Sequence, residues 1–62
     1  MTFRQIEKII KADGWYRIKS KGGSHRQYKH PTKKGKVTIP YHANATIATG
    51  TIIGILRQAG LK

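Results

Sequence analysis

The apolar residues of this chain change period twice, and that change leaves few architectures open. From Thr2 to about Asp13, the residues Phe3, Ile6, Ile9 and Ile10 recur at helical spacing, with Arg4, Lys8 and Lys11 opposite. Thr2 and Gln5 stand at capping-box spacing, and Met1 is placed to staple onto Ile6. Glu7 can pair with Lys11 one turn on, and Gly14 supplies a left-handed stop. The stretch Trp15 to Ser20 is then aromatic and branched, which suits a pleated surface. Gly22-Gly23 marks a turn, Ser24 to His30 a second strand, and Thr32-Lys33-Lys34-Gly35 a second turn. Lys36 to Pro40 alternates as a third strand, with Val37 and Ile39 directed to the core. Such short turns favour an antiparallel meander.

After a connection from Tyr41 to Ala48, helical spacing returns. Thr49 is the expected N-cap of a helix reaching about Ala59, striped by Ile52, Ile53, Leu56 and Ala59. Gly60-Leu61 closes it, with Leu61 placed to pack back as in a Schellman motif. Gly54 inside this helix costs about 1 kcal/mol against alanine, which a close backbone approach would explain. The order is α-β-β-β-α: an α+β domain over residues 1–62, with two helices burying their stripes on one face of a three-stranded antiparallel sheet. The other sheet face is left to solvent and ligand. Trp15 and Tyr28 are expected in the core, while Tyr16 and Tyr41 stay open between surface and stacking roles.

On this frame sits a one-sided charge. Thirteen Lys and Arg face only Glu7 and Asp13, a formal net charge of +11. Such a field attracts polyanions. Periodic apolar residues argue against disorder. The basic residues are spread along the chain instead of lining one face of a helix, which argues against a membrane surface. No apolar run has the length of a membrane span, and no signal peptide is read. The absence of cysteine fits a cytoplasmic, reducing location. Nucleic acid is the expected partner.

The groups able to do chemistry are few. With no cysteine and two acids, neither a carboxylate pair nor a metal site is expected, and no cofactor. Glu7 is read as a solvated surface charge and Asp13 as a turn residue. His30, before Pro31, is read as structural or as a surface residue, and His42 as a distant second catalytic candidate. His25 follows Gly22, Gly23 and Ser24, with Lys19, Lys21, Arg26 and Lys29 near it in sequence. Glycines admit a phosphate close to the backbone, and histidine exchanges protons near neutrality. RNA carries its own nucleophile, the 2′-hydroxyl, so cutting it needs only proton transfer and charge stabilisation. The residues alone leave His25 open between a catalyst and a turn histidine that binds phosphate. Lys33 and Lys34 are expected to touch phosphate without reading sequence. Thr49-Gly50-Thr51 is read as plain capping in preference to a phosphate site.

Gly14-Trp15, Gly23-Ser24-His25, Tyr28 with His30-Pro31, Val37-Thr38-Ile39-Pro40 with His42, Gly50-Thr51 and Leu56-Arg57-Gln58-Ala59-Gly60-Leu61 together resemble the HicA family of bacterial and archaeal toxins. The resemblance runs over nearly the whole chain. It implies a double-stranded-RNA-binding-like fold and an mRNA interferase that works independently of translation, with His25 as the catalytic residue. It also implies a HicB-type antitoxin that masks the active site. The chain departs from the family pattern at Lys19, where many members carry arginine, and in a turn before His25 that is one residue longer. The competing expectations are a non-catalytic double-stranded-RNA or ribosomal-RNA binding module and, ranked lower for want of a helix-turn-helix, a DNA-binding structural protein.

Overall fold

In a computed structural model, the structure describes residues 1–19, 25–41 and 46–62. The first helix, α1, is Phe3–Ala12. Thr2 Oγ1 accepts from the Gln5 amide at 3.3 Å, and the Thr2 amide donates to Gln5 Oε1 at 2.8 Å, so the expected capping box is complete. Gly14, at φ +110°, ends the helix. Its amide donates to the Lys11 carbonyl and the Trp15 amide to the Ile10 carbonyl, the Schellman pair of bonds. That turn swings Trp15 into the core, where it is 2% exposed.

The strands are β1 (Tyr16–Ile18), β2 (His25–Lys29) and β3 (Val37–Pro40), an antiparallel sheet in the order β1-β2-β3. β1 is shorter than the predicted stretch because Trp15 is spent on the helix cap. Tyr16 pairs with Lys29 and Ile18 with Gln27; His25 pairs with Pro40 and Tyr28 with Val37. Tyr28, Val37 and Ile39 are fully buried, which identifies the sheet face covered by the helices. The outer edge of β3 is closed by Gln58, whose side-chain oxygen accepts from the Thr38 amide at 3.2 Å.

The second helix, α2, is Thr49–Gln58. Its N-cap is Ala48, without a side-chain cap bond, so Thr49 is the first helical residue and not the cap. The reason lies upstream. Thr46 bridges to Thr2, and the Ile47 amide donates to the Met1 carbonyl at 2.7 Å, pinning the chain just ahead of the helix. Ile47, placed in a connection by sequence, is a buried core residue. The buried stripe is Ile52, Ile55 and Ala59; Ile53 and Leu56 lie on its flank. Four large apolar residues within five positions leave the helix rotation to its packing partner. Likewise Ile9 sits about 90° around α1 from the line of Phe3, Ile6 and Ile10 and is 40% exposed. The second Schellman motif forms at Gly60, with the Leu61 amide on the Leu56 carbonyl at 2.8 Å, although Leu61 stays 38% exposed. An added Cβ on Gly54 would meet nothing within 4 Å, so among the described residues no close approach accounts for it.

The turn between β2 and β3 fastens both helix ends. His30 Nδ1 accepts from the Thr32 and Lys33 amides, each at 3.1 Å. That leaves the ring proton on Nε2, which donates to the Asp13 carbonyl at 2.7 Å. The Lys33 ammonium reaches Asp13 Oδ2 at 2.5 Å and the Ala59 carbonyl at 3.0 Å. Trp15 Nε1 donates to the same Ala59 carbonyl at 3.3 Å. Carbonyls at both helix C-termini, which the helices cannot satisfy themselves, are thereby satisfied. His30 is structural, as read from sequence. Glu7 departs from its reading as a solvated charge. It lies 3.8 Å from Lys11, as expected, but its carboxylate also accepts the buried Tyr28 hydroxyl.

Candidate nucleic-acid interface

Strand alternation and register decide which side chains share the uncovered face of the sheet. Since Tyr28 points at the helices, His25, Gln27 and Lys29 of β2 point away from them. Their cross-strand neighbours Tyr16, Ile18, Thr38 and Pro40 do the same. The Cα trace measures 31 × 27 × 16 Å, the thinness of one sheet layer under one helix layer, so this face meets solvent. His25 is exposed at the start of β2 and Lys29 exposed at its end. At strand rise they stand roughly 14 Å apart.

The structure distributes the other residues named from sequence. Lys19 is exposed just beyond β1 and, with Arg17 and Ile18, lines a surface depression of about 280 Å³. Lys34 is exposed in the β2–β3 turn. Arg26 falls on the opposite side of the sheet from His25. Its guanidinium lies 4.3 Å over the Tyr41 ring and 5.5 Å from the centroid of Phe3, and Tyr41 in turn packs edge-on against Phe3 at 4.9 Å. Neighbours in sequence on one strand cannot serve one face, so Arg26 and His25 do not converge. Lys33 is engaged by Asp13 and Ala59, as described, in place of standing free in its turn. The Asp13 carboxyl is held below its ordinary range, first by its hydrogen bond to Lys33. Lys21, Gly22, Gly23, Ser24 and His42 lie outside the described residues. Among the described residues, no group of three or more His, Cys, Asp or Glu side chains converges. No helix there is long and apolar enough to cross a membrane.

Sequence reasoning missed two features of this face. One is Tyr16 directly opposite Lys29, which depends on strand register. The other is the i, i+2, i+4 line of His25, Gln27 and Lys29, which the alternation of β2 already contained. A histidine, an amide and an ammonium on one open face can exchange a proton and hold phosphate oxygens.

Residues 3–61 match a family described as HicA toxin of bacterial toxin-antitoxin. No curated protein matches the chain in sequence. Among solved structures, a chain of a toxin–antitoxin complex from Streptococcus pneumoniae superposes with a TM-score of 0.81 at 30% identity, over 98% of each chain.

Proposed function

The chain belongs to the HicA toxin family of bacterial toxin–antitoxin systems, and we propose that it acts as an endoribonuclease, an mRNA interferase whose catalytic residue is His25. The observation that carries this reading is the position of His25, exposed at the head of β2 on the uncovered sheet face and in line with Lys29.

In the proposed reaction the neutral imidazole of His25 removes the proton of a ribose 2′-hydroxyl. The 2′ oxygen attacks the adjacent phosphorus. The P–O5′ bond breaks, and the 5′ oxygen keeps the electron pair and takes a proton from the imidazolium or from water. The products are a 2′,3′-cyclic phosphate and a 5′-hydroxyl. Lys19, with Lys21 of the adjoining segment, positions the phosphate and offsets the charge gathering on it, while Lys29, roughly 14 Å along β2 from His25, holds a neighbouring phosphate of the strand. The glycines at positions 22 and 23, before Ser24, would admit a phosphate close to the backbone, and Lys34 holds flanking strand by charge; Arg26, engaged by Tyr41 and Phe3 on the other side of the sheet, is left out of this role. No metal takes part, a reading that rests on a composition without cysteine and with two acids. Its place of action is the cytoplasm, where mRNA is. A HicB-type antitoxin with an acidic surface would cover the cationic face, in a complex that weakens as salt rises.

The test is cleavage of RNA in EDTA by the native protein and by His25→Ala, with RNA binding measured for both. Cleavage by the native protein alone, leaving cyclic-phosphate ends, is the expected result. Equal cleavage by both would remove His25 from the chemistry. Binding without cleavage by either would make the protein a non-catalytic RNA-binding module. Ends bearing a 5′-phosphate would sink the 2′-hydroxyl route.

A further inference from the structure

The open sheet face holds an aromatic residue that neither the core nor the proposed chemistry uses. Tyr16 is 50% exposed, and among the described residues no hydrogen bond or ring contact engages its side chain. It stands opposite Lys29 in the β1–β2 register, on the same face as His25 and Gln27. The other two tyrosines are occupied: Tyr28 is buried against Glu7, and Tyr41 packs against both Phe3 and the Arg26 guanidinium.

We propose that Tyr16 is a stacking platform for one unpaired base of the RNA, placed beside Lys29 and one strand-length from His25, so that the open face binds single-stranded RNA in a fixed register. This rests on the reading of the chain as an RNA-cleaving toxin. The charge of the chain, +11, selects a polyanion for this face. An acidic protein satisfies the charge equally well and can also bury a tyrosine, so what favours a nucleotide is the half-exposed ring and the Lys29 ammonium side by side. A nucleotide has use for both, since its base stacks on an aromatic face while its phosphate meets a cation. Duplex RNA does not fit, because its base faces are already stacked and a protein meets it by groove shape, 2′-hydroxyls and phosphates. The separation of roughly 14 Å along β2 places the stacked base away from the scissile phosphate. Tyr16 therefore acts as an anchor that sets which phosphate reaches His25, and the catalytic step itself does not involve it.

The test uses labelled single-stranded RNA made non-cleavable by 2′-O-methylation, in EDTA, with an abasic site moved along the strand. Base–aromatic stacking contributes about 1–3 kcal/mol per base, so one abasic position should weaken binding to the native protein roughly tenfold. Tyr16→Leu should lose about the same factor and become indifferent to that abasic site, while Tyr16→Phe should bind like the native protein. On cleavable RNA, Tyr16→Leu should still cut, with a scattered choice of site. Thermal melts should leave both variants folded, since the side chain is half in solvent. The proposal is overturned if Tyr16→Leu keeps the native abasic penalty. It is equally overturned if that variant loses affinity for the antitoxin and not for RNA, which would assign the face to the protein partner. Loss of the nuclease reading is distinguishable, because the abasic coupling is measured without cleavage. A native protein that binds no RNA would overturn both.

Discussion

Substituting Gly14 by alanine should cost this small protein a large part of its stability, and a second glycine allows the two causes to be separated. At φ +110° an L-residue pays roughly 1–2 kcal/mol of backbone strain before any contact is considered. The added Cβ would then stand 2.7 Å from His30 Nε2. The ring must move, and it cannot do so while donating to the Asp13 carbonyl and accepting from the Thr32 and Lys33 amides. Losing one of these bonds costs about 1 kcal/mol, or up to about 3 kcal/mol where it leaves a buried partner unsatisfied. The total is about 2–5 kcal/mol. A chain of this size has roughly 3–9 kcal/mol in all, at about 0.05–0.15 kcal/mol per residue. Gly35 is the control. It also has positive φ, at +85°, but an added Cβ there meets nothing within 4 Å. Gly35→Ala should therefore pay the strain alone. Urea titration followed by far-UV circular dichroism would give both losses from the shift in midpoint. The expected result is a larger loss for Gly14→Ala by about 1–3 kcal/mol. Equal losses would refute the argument, because His30 would then be shown to yield without penalty.

Gly54→Ala should do the opposite and stabilise α2 by about 1 kcal/mol, raising the melting temperature by roughly 4–8 °C; a fall would mean that something covers this helix face. Tyr28→Phe removes the hydroxyl that donates to Glu7, at a cost of about 1.5 kcal/mol, the low end of the range because Glu7 is 20% exposed and keeps Lys11. Burial, then Glu7, raise the Tyr28 pKa above its ordinary 10.0, so the folded state keeps a proton that the unfolded chain releases. Stability from this group is complete below pH 10 and is lost as pH rises beyond it, and melts of Tyr28→Phe should show a shallower alkaline decline. In acid the sign reverses. Lys33 holds the Asp13 carboxyl below its ordinary 3.8, so that contribution is present above pH 3.8 and is lost as pH falls through the lower folded value. Lys33→Met should start with a lower melting temperature and lose less of it on acidification, and parallel acid melts of the two proteins would check this.

What could be read from sequence follows from how local each feature is. The Thr2–Gln5 capping box, the stops at Gly14 and Gly60 and the alternation of Val37 and Ile39 each depend on a handful of neighbouring residues, and all appear in the structure. Ile55 replacing Ile53 in the core, Ile9 turning outward and Ile47 turning inward depend on how a helix is rotated against a sheet, which one segment cannot specify. Glu7 with Tyr28, and Lys33 with Asp13, join residues more than a dozen positions apart, so the sequence reading took Glu7 and Lys33 for surface groups. The same limit governs the site. Composition and resemblance nominated His25, and strand alternation put Lys29 on the same face and Arg26 on the other. Tyr16 emerged only from the pairing of β1 with β2.

The separation of the two sheet faces bears on how such a toxin can be lost by mutation. The eleven core side chains among the described residues belong to the helix side and its flanking segments, and none to the face that carries His25. Damage to the core removes the protein from the soluble fraction, and its antitoxin goes unclaimed. On the proposed reading, damage to the open face outside the antitoxin contacts would leave a folded, inert chain that still occupies antitoxin. In a cell holding one intact and one inert copy, the inert chain would compete for the neutralising partner and free the intact one. A disabled allele of this second kind would thus be harmless alone and harmful in company, and the geometry of a three-stranded sheet is enough to distinguish the two.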